Sequence, residues 1–129
     1  MTEDQSGWLR MAKDRLLAGQ HTLAATEDFA RWAVADAYYV MFYCATALLL
    51  GKGQVFRSHG QLIASYGREF AATDVLPRHL HRYLIDSSEL RTKGDYDLYP
   101  DIERSEAEEH LQHAEEFIAL TEAYLNQQP

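Results

Sequence analysis

The chain has 129 residues, of which 47% are hydrophobic and 25% charged, and its 12 Lys and Arg against 20 Asp and Glu give a formal net charge of −8. This length and composition are typical of one globular core, so we expect residues 1–129 to form a single domain. The lone cysteine, Cys44, excludes an internal disulfide, and the acidic first residues do not resemble a signal peptide. We therefore expect a cytoplasmic protein.

The spacing of hydrophobic residues predicts five helices and no strands, which indicates an all-α, single-domain, up-and-down bundle. The first helix is predicted over residues 6–27 and the second, apolar on nearly every side, over residues 29–50. The second approaches the length of a membrane span. However, it contains Asp36, and the other helices carry apolar stripes that need a core, so we expect it to be the buried central helix and predict no membrane contact.

Capping residues mark the other three helices. Ser58, with a glutamine three residues later, predicts a third helix over residues 58–73. Pro77 suits the first turn of a fourth helix, which we expect to end at Gly94. A second capping box at Ser105 predicts the start of a fifth helix, whose heptad-like apolar positions require a helical partner.

Charge is distributed unevenly along the chain. Residues 52–93 carry seven Lys and Arg against four acids, whereas residues 94–129 carry one arginine against ten acids. An acidic protein repels polyanions, which disfavours broad non-specific binding of nucleic acid. A local site formed by Arg78, Arg82, Arg91 and Lys93 could still hold a phosphate. The alternative is that these charges only solvate the third and fourth helices and pair with the fifth.

Motifs for metal binding and covalent catalysis are incomplete. Glu109, His110, His113 and Glu116 share one helix, but no other helix offers the matching Glu-x-x-His pair of a di-iron bundle. We interpret them as surface residues of an acidic face and predict no metal and no cofactor. Cys44 has no basic neighbour, and the chain lacks a glycine-rich phosphate loop or a nucleophile elbow.

Arg91 occupies the last inward position of the fourth helix and needs partners for its donors, because an unpaired buried guanidinium is costly. One alternative is an ion pair with Asp36, the lone acid of the central helix. The other makes Arg91 a phosphate anchor, with Asp95, Tyr96 and Tyr99 in the adjoining turn supplying a base, hydrogen bonds or a stacking ring.

Four stretches together resemble the HEPN superfamily, the higher eukaryote and prokaryote nucleotide-binding domain, over nearly the whole chain. They are residues 33–50 with Ala37-Tyr-Tyr-x-Met-Phe-Tyr, then Ser58-His-Gly, Tyr66-Gly-Arg-Glu-Phe and Leu90-Arg-Thr-Lys-Gly-Asp-Tyr. The resemblance implies an all-helical bundle, usually a homodimer and often encoded beside a minimal nucleotidyltransferase as a toxin and antitoxin pair. It also implies metal-independent ribonuclease activity through an Arg-x4-6-His motif in a cleft at the dimer interface.

Only the arginine of this motif carries over, as Arg91, and Tyr96 stands where the histidine could be. Histidine transfers protons near neutral pH because its pKa is about 6.5, whereas that of tyrosine is about 10. Asp95 could act as a base, but no matching acid is evident. In some similar toxin pairs the partner enzyme transfers a nucleotide to a tyrosine, so Tyr96 and Tyr99 are also candidate modification sites.

Two functions therefore remain open. The first is a toxin-like HEPN protein that binds RNA or nucleotide at a dimer cleft around Arg91, Asp95 and Tyr96, with or without ribonuclease activity. The second is a non-catalytic nucleotide-binding or protein-interaction module that partners a nucleotidyltransferase. A homodimer is expected in either case, because the aromatic residues of the second helix exceed what one face usually buries in a small bundle. These are Trp32, Tyr38, Tyr39, Phe42 and Tyr43.

Overall fold

A computed structural model describes residues 1–128, and within them the chain forms five α-helices and no strand. The helices are α1 (Glu3–Ala25), α2 (Ala30–Leu50), α3 (His59–Tyr66), α4 (Arg78–Tyr96) and α5 (Arg104–Asn126). A 3-10 turn, Glu27–Phe29, connects α1 to α2, and a π-helical turn, Gly67–Ala71, continues α3. The prediction of an all-α bundle is confirmed.

The central helix is α2, as its apolar composition predicts. It packs against α1, α3, α4 and α5, and 12 of its 21 residues are buried. By length and composition this helix is able to span a membrane, but 67% of its apolar window is buried inside the bundle. Because this burial removes its apolar surface from water, α2 is the core helix of the fold.

Contacts between helices show that α1 runs antiparallel to α2, and α4 antiparallel to α5. Gln5, at the start of α1, donates a hydrogen bond to the carbonyl of Ala47, near the end of α2, at 3.0 Å. His79, at the start of α4, has its Nε2 2.5 Å from Oε2 of Glu116, whereas Ser87, farther along α4, contacts His110, nearer the start of α5. The bundle therefore has the up-and-down arrangement that short connections favour.

The predicted apolar stripe of α5 is buried along its whole length and packs against α1 and α2. Its buried members are Ala107, Leu111, Ala114, Ile118, Thr121 and Leu125. Cys44 of α2 is also fully buried, and this burial raises the pKa of its thiol to about 12. The side chain is therefore a core residue and not a reactive thiol.

The N-terminal ends of α1 and α5 differ from the prediction because other residues cap them. Thr2 caps α1 by accepting from the backbone N–H of Gln5, whose side chain accepts from the backbone of Thr2, so the helix begins at residue 3. Glu103 caps α5 together with Glu106, instead of the predicted box at Ser105. A carboxylate serves at this position because it accepts backbone N–H groups at the positive end of the helix dipole. In contrast, Ser58 does cap α3, as predicted.

The fourth helix does not end at Gly94 but continues to Tyr96. Gly94 is buried, and a Cβ atom there would lie 3.2 Å from Cδ1 of Ile102 and 3.4 Å from Cβ of Arg31. The glycine therefore lets α4 approach α2 closely rather than terminating the helix. As a consequence, Asp95 and Tyr96 lie on the last turn of α4 and not in the turn that follows it.

Candidate functional site

Arg91 lies where α4 packs against the central helix, and its guanidinium sits over two tyrosines of α2. Its Cζ is 4.9 Å from the ring centroid of Tyr38 and 5.5 Å from that of Tyr39. Nη1 donates to Oδ2 of Asp95, one helical turn farther on, at 2.9 Å. Nε is buried and has no hydrogen-bond partner among residues 1–128. Arg91 is thus a fixed cation of which only 18% of the side chain remains exposed.

A second arginine, Arg15 of α1, reaches the same tyrosine, with its Cζ 4.8 Å from the ring centroid of Tyr39. Its Nε donates to the carboxylate of Asp36. Burial acts to lower the pKa of Arg15, but the paired carboxylate outweighs this effect and raises the pKa. The ion pair between Asp36 and Arg91, one of the two sequence alternatives, is therefore wrong: Asp36 pairs with α1, and the internal partner of Arg91 is Asp95.

His59, the first residue of α3, contacts the same group of side chains. Its Nδ1 is 2.8 Å from Oη of Tyr38, and its ring packs on Phe42 with centroids 4.3 Å apart. Burial and, to a smaller degree, the positive charge of Arg91 lower the pKa of His59. Sequence reasoning misses this residue because it is far from Arg91 in the chain; the Ser58-His-Gly stretch is its only signal.

These side chains form one partly exposed group between α1, α2, α3 and α4, which we call the Arg91 cluster. Its members are Arg15, Asp36, Tyr38, Tyr39, His59, Arg91 and Asp95. The cluster combines two guanidinium groups, the ring of Tyr39 that both of them contact, and an imidazole. Such a set can hold a phosphate, stack on a base and move a proton.

Most of the other predicted site residues lie away from the Arg91 cluster. Since an α-helix turns about 100° per residue, Arg82 and Lys93 are about 180° and 200° around α4 from Arg91, and Tyr96 is about 140° away. Arg78, at the start of α4, is about 20 Å along the helix axis. Of the predicted catalytic residues, the structure therefore brings Arg91 and Asp95 together but not Tyr96.

The charges on the outer side of α4 have partners of their own. Arg78 donates to Asp74 at 2.9 Å, and Arg82 lies 3.6 Å from Asp86, all with exposed side chains. Lys93 donates to the backbone carbonyl of Asp101 at 3.4 Å. The arrangement agrees with the alternative in which these charges solvate the helix, but their partners lie on α4 or in the neighbouring connections and not on α5 as that alternative expected.

The connection from α4 to α5 exposes a short group of apolar side chains. Tyr96 is 82% exposed and Tyr99 is 90% exposed, with Leu98 between them also exposed. Nη2 of Arg31 donates to the carbonyl of Leu98 at 3.0 Å and so anchors the segment to α2. Both tyrosine hydroxyls are accessible from solvent.

The histidines of α5, which the sequence predicts to be surface residues, are half-buried. His110 Nδ1 is 2.6 Å from Oγ of the buried Ser87, and burial lowers the pKa of His110. The ring of His113 stacks on Tyr83 with centroids 3.6 Å apart. These residues join α4 to α5. Within the described part of the chain, no group of three or more His, Cys, Asp or Glu is placed to hold a metal ion.

Comparison with known proteins identifies the family. The family model described as the HEPN domain matches residues 5–124. The chain belongs to the HEPN family. Every residue of the Arg91 cluster lies inside the matched region, so the cluster belongs to the HEPN domain itself.

Several relatives are similar to this chain over most of their length. A UPF0332 protein of Gloeobacter violaceus is 38% identical over 96 residues, which cover 74% of this chain and 75% of that protein. A Methanocaldococcus jannaschii protein named "Putative toxin" is 35% identical, over 76% of this chain and 67% of that protein. A UPF0332 protein of Thermotoga maritima is 30% identical, over 89% of this chain and 86% of that protein.

A solved structure shows the same HEPN-like fold. The crystal structure of a protein from Thermus thermophilus superimposes with a TM-score of 0.75 and covers 95% of this chain and 99% of that protein, at 22% identity. At this identity the likeness supports the arrangement of the helices, and the chemistry of the site depends on this chain's own residues.

Proposed function

We propose that this HEPN protein is the toxin-like component of a toxin and antitoxin module in the cytoplasm and that it binds RNA through the Arg91 cluster. The observation that carries the proposal is the guanidinium of Arg91, held over Tyr38 and Tyr39 on a partly exposed face. Arginine binds phosphate through directed N–H donors, and aromatic rings stack on bases. Tyr38 is fully buried, so the half-buried Tyr39 is the ring of the pair that is open to a base, and with Arg91 it offers both contacts that single-stranded RNA requires. The similarity to proteins named as toxins supports the same role.

The cluster retains donors for a phosphate although it contains two carboxylates. Asp95 accepts from Nη1 of Arg91, whereas Nη2 makes no hydrogen bond to the described residues. Asp36 is occupied by Arg15, so it does not neutralise Arg91. A short-range phosphate contact is therefore compatible with a chain that carries a net charge of −8.

We further propose that the protein acts as a homodimer through the aromatic surface beside the cluster. Trp8 of α1 and Tyr43 of α2 are half-buried, with ring centroids 5.6 Å apart, and Phe42 continues this surface toward His59. A cavity of about 210 Å³ lies next to them, partly lined by the exposed Val55. A second copy would cover this apolar surface and place two Arg91 clusters near one cleft. Sedimentation equilibrium that gives a monomer at micromolar concentration would refute the dimer.

RNA binding is tested with a fluorescently labelled single-stranded RNA whose anisotropy is measured in EDTA. Loss of a charge-assisted hydrogen bond costs about 1.5–3 kcal/mol, so we expect Arg91→Ala to bind at least about tenfold more weakly. Removal of one phosphate contact should also reduce the salt dependence by about one unit of slope.

The matched control is Arg10→Ala, which removes the same charge from an exposed position of α1. Arg10 lies about 140° around α1 from Arg15, the member of the Arg91 cluster on that helix, so its loss should leave the affinity unchanged within about twofold. Equal weakening by both substitutions would indicate a non-specific charge effect, and absence of RNA binding by the wild-type protein would refute the proposal. Competition with mononucleotides distinguishes an RNA site from a nucleotide site.

The second candidate function is a non-catalytic module that docks a minimal nucleotidyltransferase. The exposed group of Tyr96, Leu98 and Tyr99 favours it, because neighbouring exposed apolar residues often mark protein-binding surfaces. The accessible hydroxyls of both tyrosines also suit modification by such an enzyme. Stable association with the nucleotidyltransferase, abolished by replacing Leu98 with aspartate, in a protein that does not bind RNA would favour this function.

A further inference from the structure

A cavity of about 470 Å³ lies at the end of the bundle where α1 begins and where α2 and α5 end. We propose that this cavity binds a small organic anion, namely a carboxylate with an apolar or aromatic body. Its volume falls within the range of about 300–1,000 Å³ that is typical of small-molecule sites. Leu48, which lines it, is about 15 Å along α2 from Tyr38, and none of the lining residues belongs to the Arg91 cluster. The site is therefore separate from the proposed RNA site.

The inner part of the cavity is apolar. Leu48, Phe70 and Leu125 line it and are buried, so they close it on the side of the core. The ring of Tyr124 meets that of Phe70 edge to face, with centroids 5.9 Å apart, and is only half-buried. The side chain of Met1 is also partly exposed here. An apolar group of a ligand would leave water in this space and contact the open part of the Tyr124 ring.

Lys52 is the one charged side chain among the described residues that line the cavity. It follows the end of α2 and is exposed, and its Nζ lies 5.7 Å from the ring centroid of Phe70. This contact between a cation and an aromatic ring holds the ammonium at the cavity. Its Nζ makes no hydrogen bond or ion pair with residues 1–128, so its N–H donors stay available to a ligand.

The charge of Lys52 stands out against the rest of the protein. The chain carries 20 Asp and Glu against 12 Lys and Arg, yet no Asp or Glu is among the described residues that line the cavity. Other cations of the bundle, such as Lys13 with Glu122 and Arg104 with Glu108, are paired with acids. The cavity is therefore a locally positive site on an acidic protein, which favours an anionic ligand over a cationic one.

Hydrogen-bonding groups near the cavity favour the same charge. The carbonyl of Ala47 already accepts from the side chain of Gln5 at 3.0 Å, and that of Tyr124 accepts from the side chain of Gln128 at 3.4 Å. The hydroxyl oxygen of Thr2 accepts from the backbone of Gln5, but its O–H has no acceptor among residues 1–128. A carboxylate would thus find donors in Thr2 and in the lysine, whereas a cation would find its nearest acceptors in use.

The test compares three probes with the same apolar body: phenylbutyrate, phenylbutanol and phenylbutylamine, whose heads are anionic, neutral and cationic. Binding to the full chain is measured by calorimetric titration and by melting temperature, at constant ionic strength and about pH 7. A probe of this size should bind with a dissociation constant of about 1 mM. We expect phenylbutyrate to bind about fivefold more tightly than the other two. At about ten times its dissociation constant it should raise the melting temperature by about 3–6 °C.

The overall charge of the protein makes this comparison stringent. A net charge of −8 attracts the amine and repels the carboxylate, so a preference for the anion has to come from the cavity. Lys52→Glu should invert the preference, so that phenylbutylamine binds more tightly than phenylbutyrate, and Lys52→Gln should abolish it. Arg57→Glu is the matched control, because it reverses an exposed charge that does not line the cavity. This variant should keep the wild-type preference.

Each outcome decides the inference. Equal binding of the three probes would overturn the assignment of an anion, and absence of heat and of any melting shift with all three would refute the site. Tighter binding of phenylbutyrate than of phenylbutylamine by Lys52→Glu would show that the anion binds elsewhere. If Lys52→Glu does not fold, Lys52→Gln decides, and an unchanged preference in that variant would overturn the inference. None of these results bears on RNA binding, so the proposed function is tested separately.

Discussion

Removal of the Asp36 carboxylate tests whether the ion pair between α1 and α2 stabilises the bundle. Only 14% of the Asp36 side chain and 34% of the Arg15 side chain are exposed. Loss of one partner of a fully buried pair costs about 3–5 kcal/mol, because the other charge stays buried without compensation. One third of Arg15 reaches solvent, so water can solvate part of the guanidinium and reduce this cost. We expect Asp36→Ala to lower the free energy of unfolding by about 1–2 kcal/mol.

For a domain of this size, that loss corresponds to a decrease in melting temperature of about 3–10 °C. The assay is thermal and urea unfolding of Asp36→Ala, Arg15→Ala and the double variant. The double-mutant cycle isolates the pair from the separate packing of Arg15 on Tyr39. A matched cycle on Asp74 and Arg78, which form a 2.9 Å pair with side chains 73% and 69% exposed, should give about 0.5 kcal/mol or less.

The cycles also distinguish the two partners that the sequence allows for Asp36. A coupling energy between Asp36 and Arg15 no larger than that of the exposed control pair would refute the argument from burial. A larger coupling between Asp36 and Arg91 than between Asp36 and Arg15 would contradict the arrangement of the Arg91 cluster.

Three further predictions follow from packing and burial. Gly67→Ala should lower the free energy of unfolding by about 1–3 kcal/mol, since the added Cβ would lie 2.4 Å from Cε1 of His81. Gly7→Ala should raise it by up to about 1 kcal/mol, because the position in α1 has open space around it. Changes of the same sign in urea unfolding would contradict this prediction. Burial lowers the pKa of His110, so below about pH 6.5 the unfolded chain binds more protons than the folded chain, and stability falls as the pH is lowered. The melting temperature of His110→Gln should therefore decrease less than that of the wild type between about pH 7.5 and 5.5. The thiol of Cys44 should resist a disulfide reagent in the native protein and react after denaturation, because burial raises its pKa to about 12; rapid native labelling would show that the core opens.

Local patterns were sufficient to predict the helices and the central position of α2. The apolar stripe of α5 is buried at every predicted position, because helical periodicity places these residues on one face whatever their partners are. Helix ends were less predictable. Glycine commonly ends a helix, yet Gly94 lies inside α4, where α2 approaches too closely for a side chain. A single glycine does not reveal from sequence which of these two roles it has.

The candidate site was predictable only in part. Arg91 and Asp95 lie four positions apart, so a helix places them on the same face, and the ion pair between them follows from local geometry. A turn beginning at Gly94 would place Tyr96 beside them, but α4 continues to Tyr96 and directs its side chain away. The outer charges Arg78 and Arg82 are separated from Arg91 by the same helical geometry.

The sequence by itself determined the fold class, the buried helix and the arginine at the centre of the site, because each depends on spacings within one helix. Only the tertiary structure decided that Asp36 pairs with Arg15, that Arg15 meets Tyr39, and that His59 meets Tyr38 and Tyr39 beside Arg91. These residues come from different helices, and their proximity depends on how α1, α3 and α4 pack around α2. The energy of that packing is shared among many core contacts, so no local pattern in the chain specifies it.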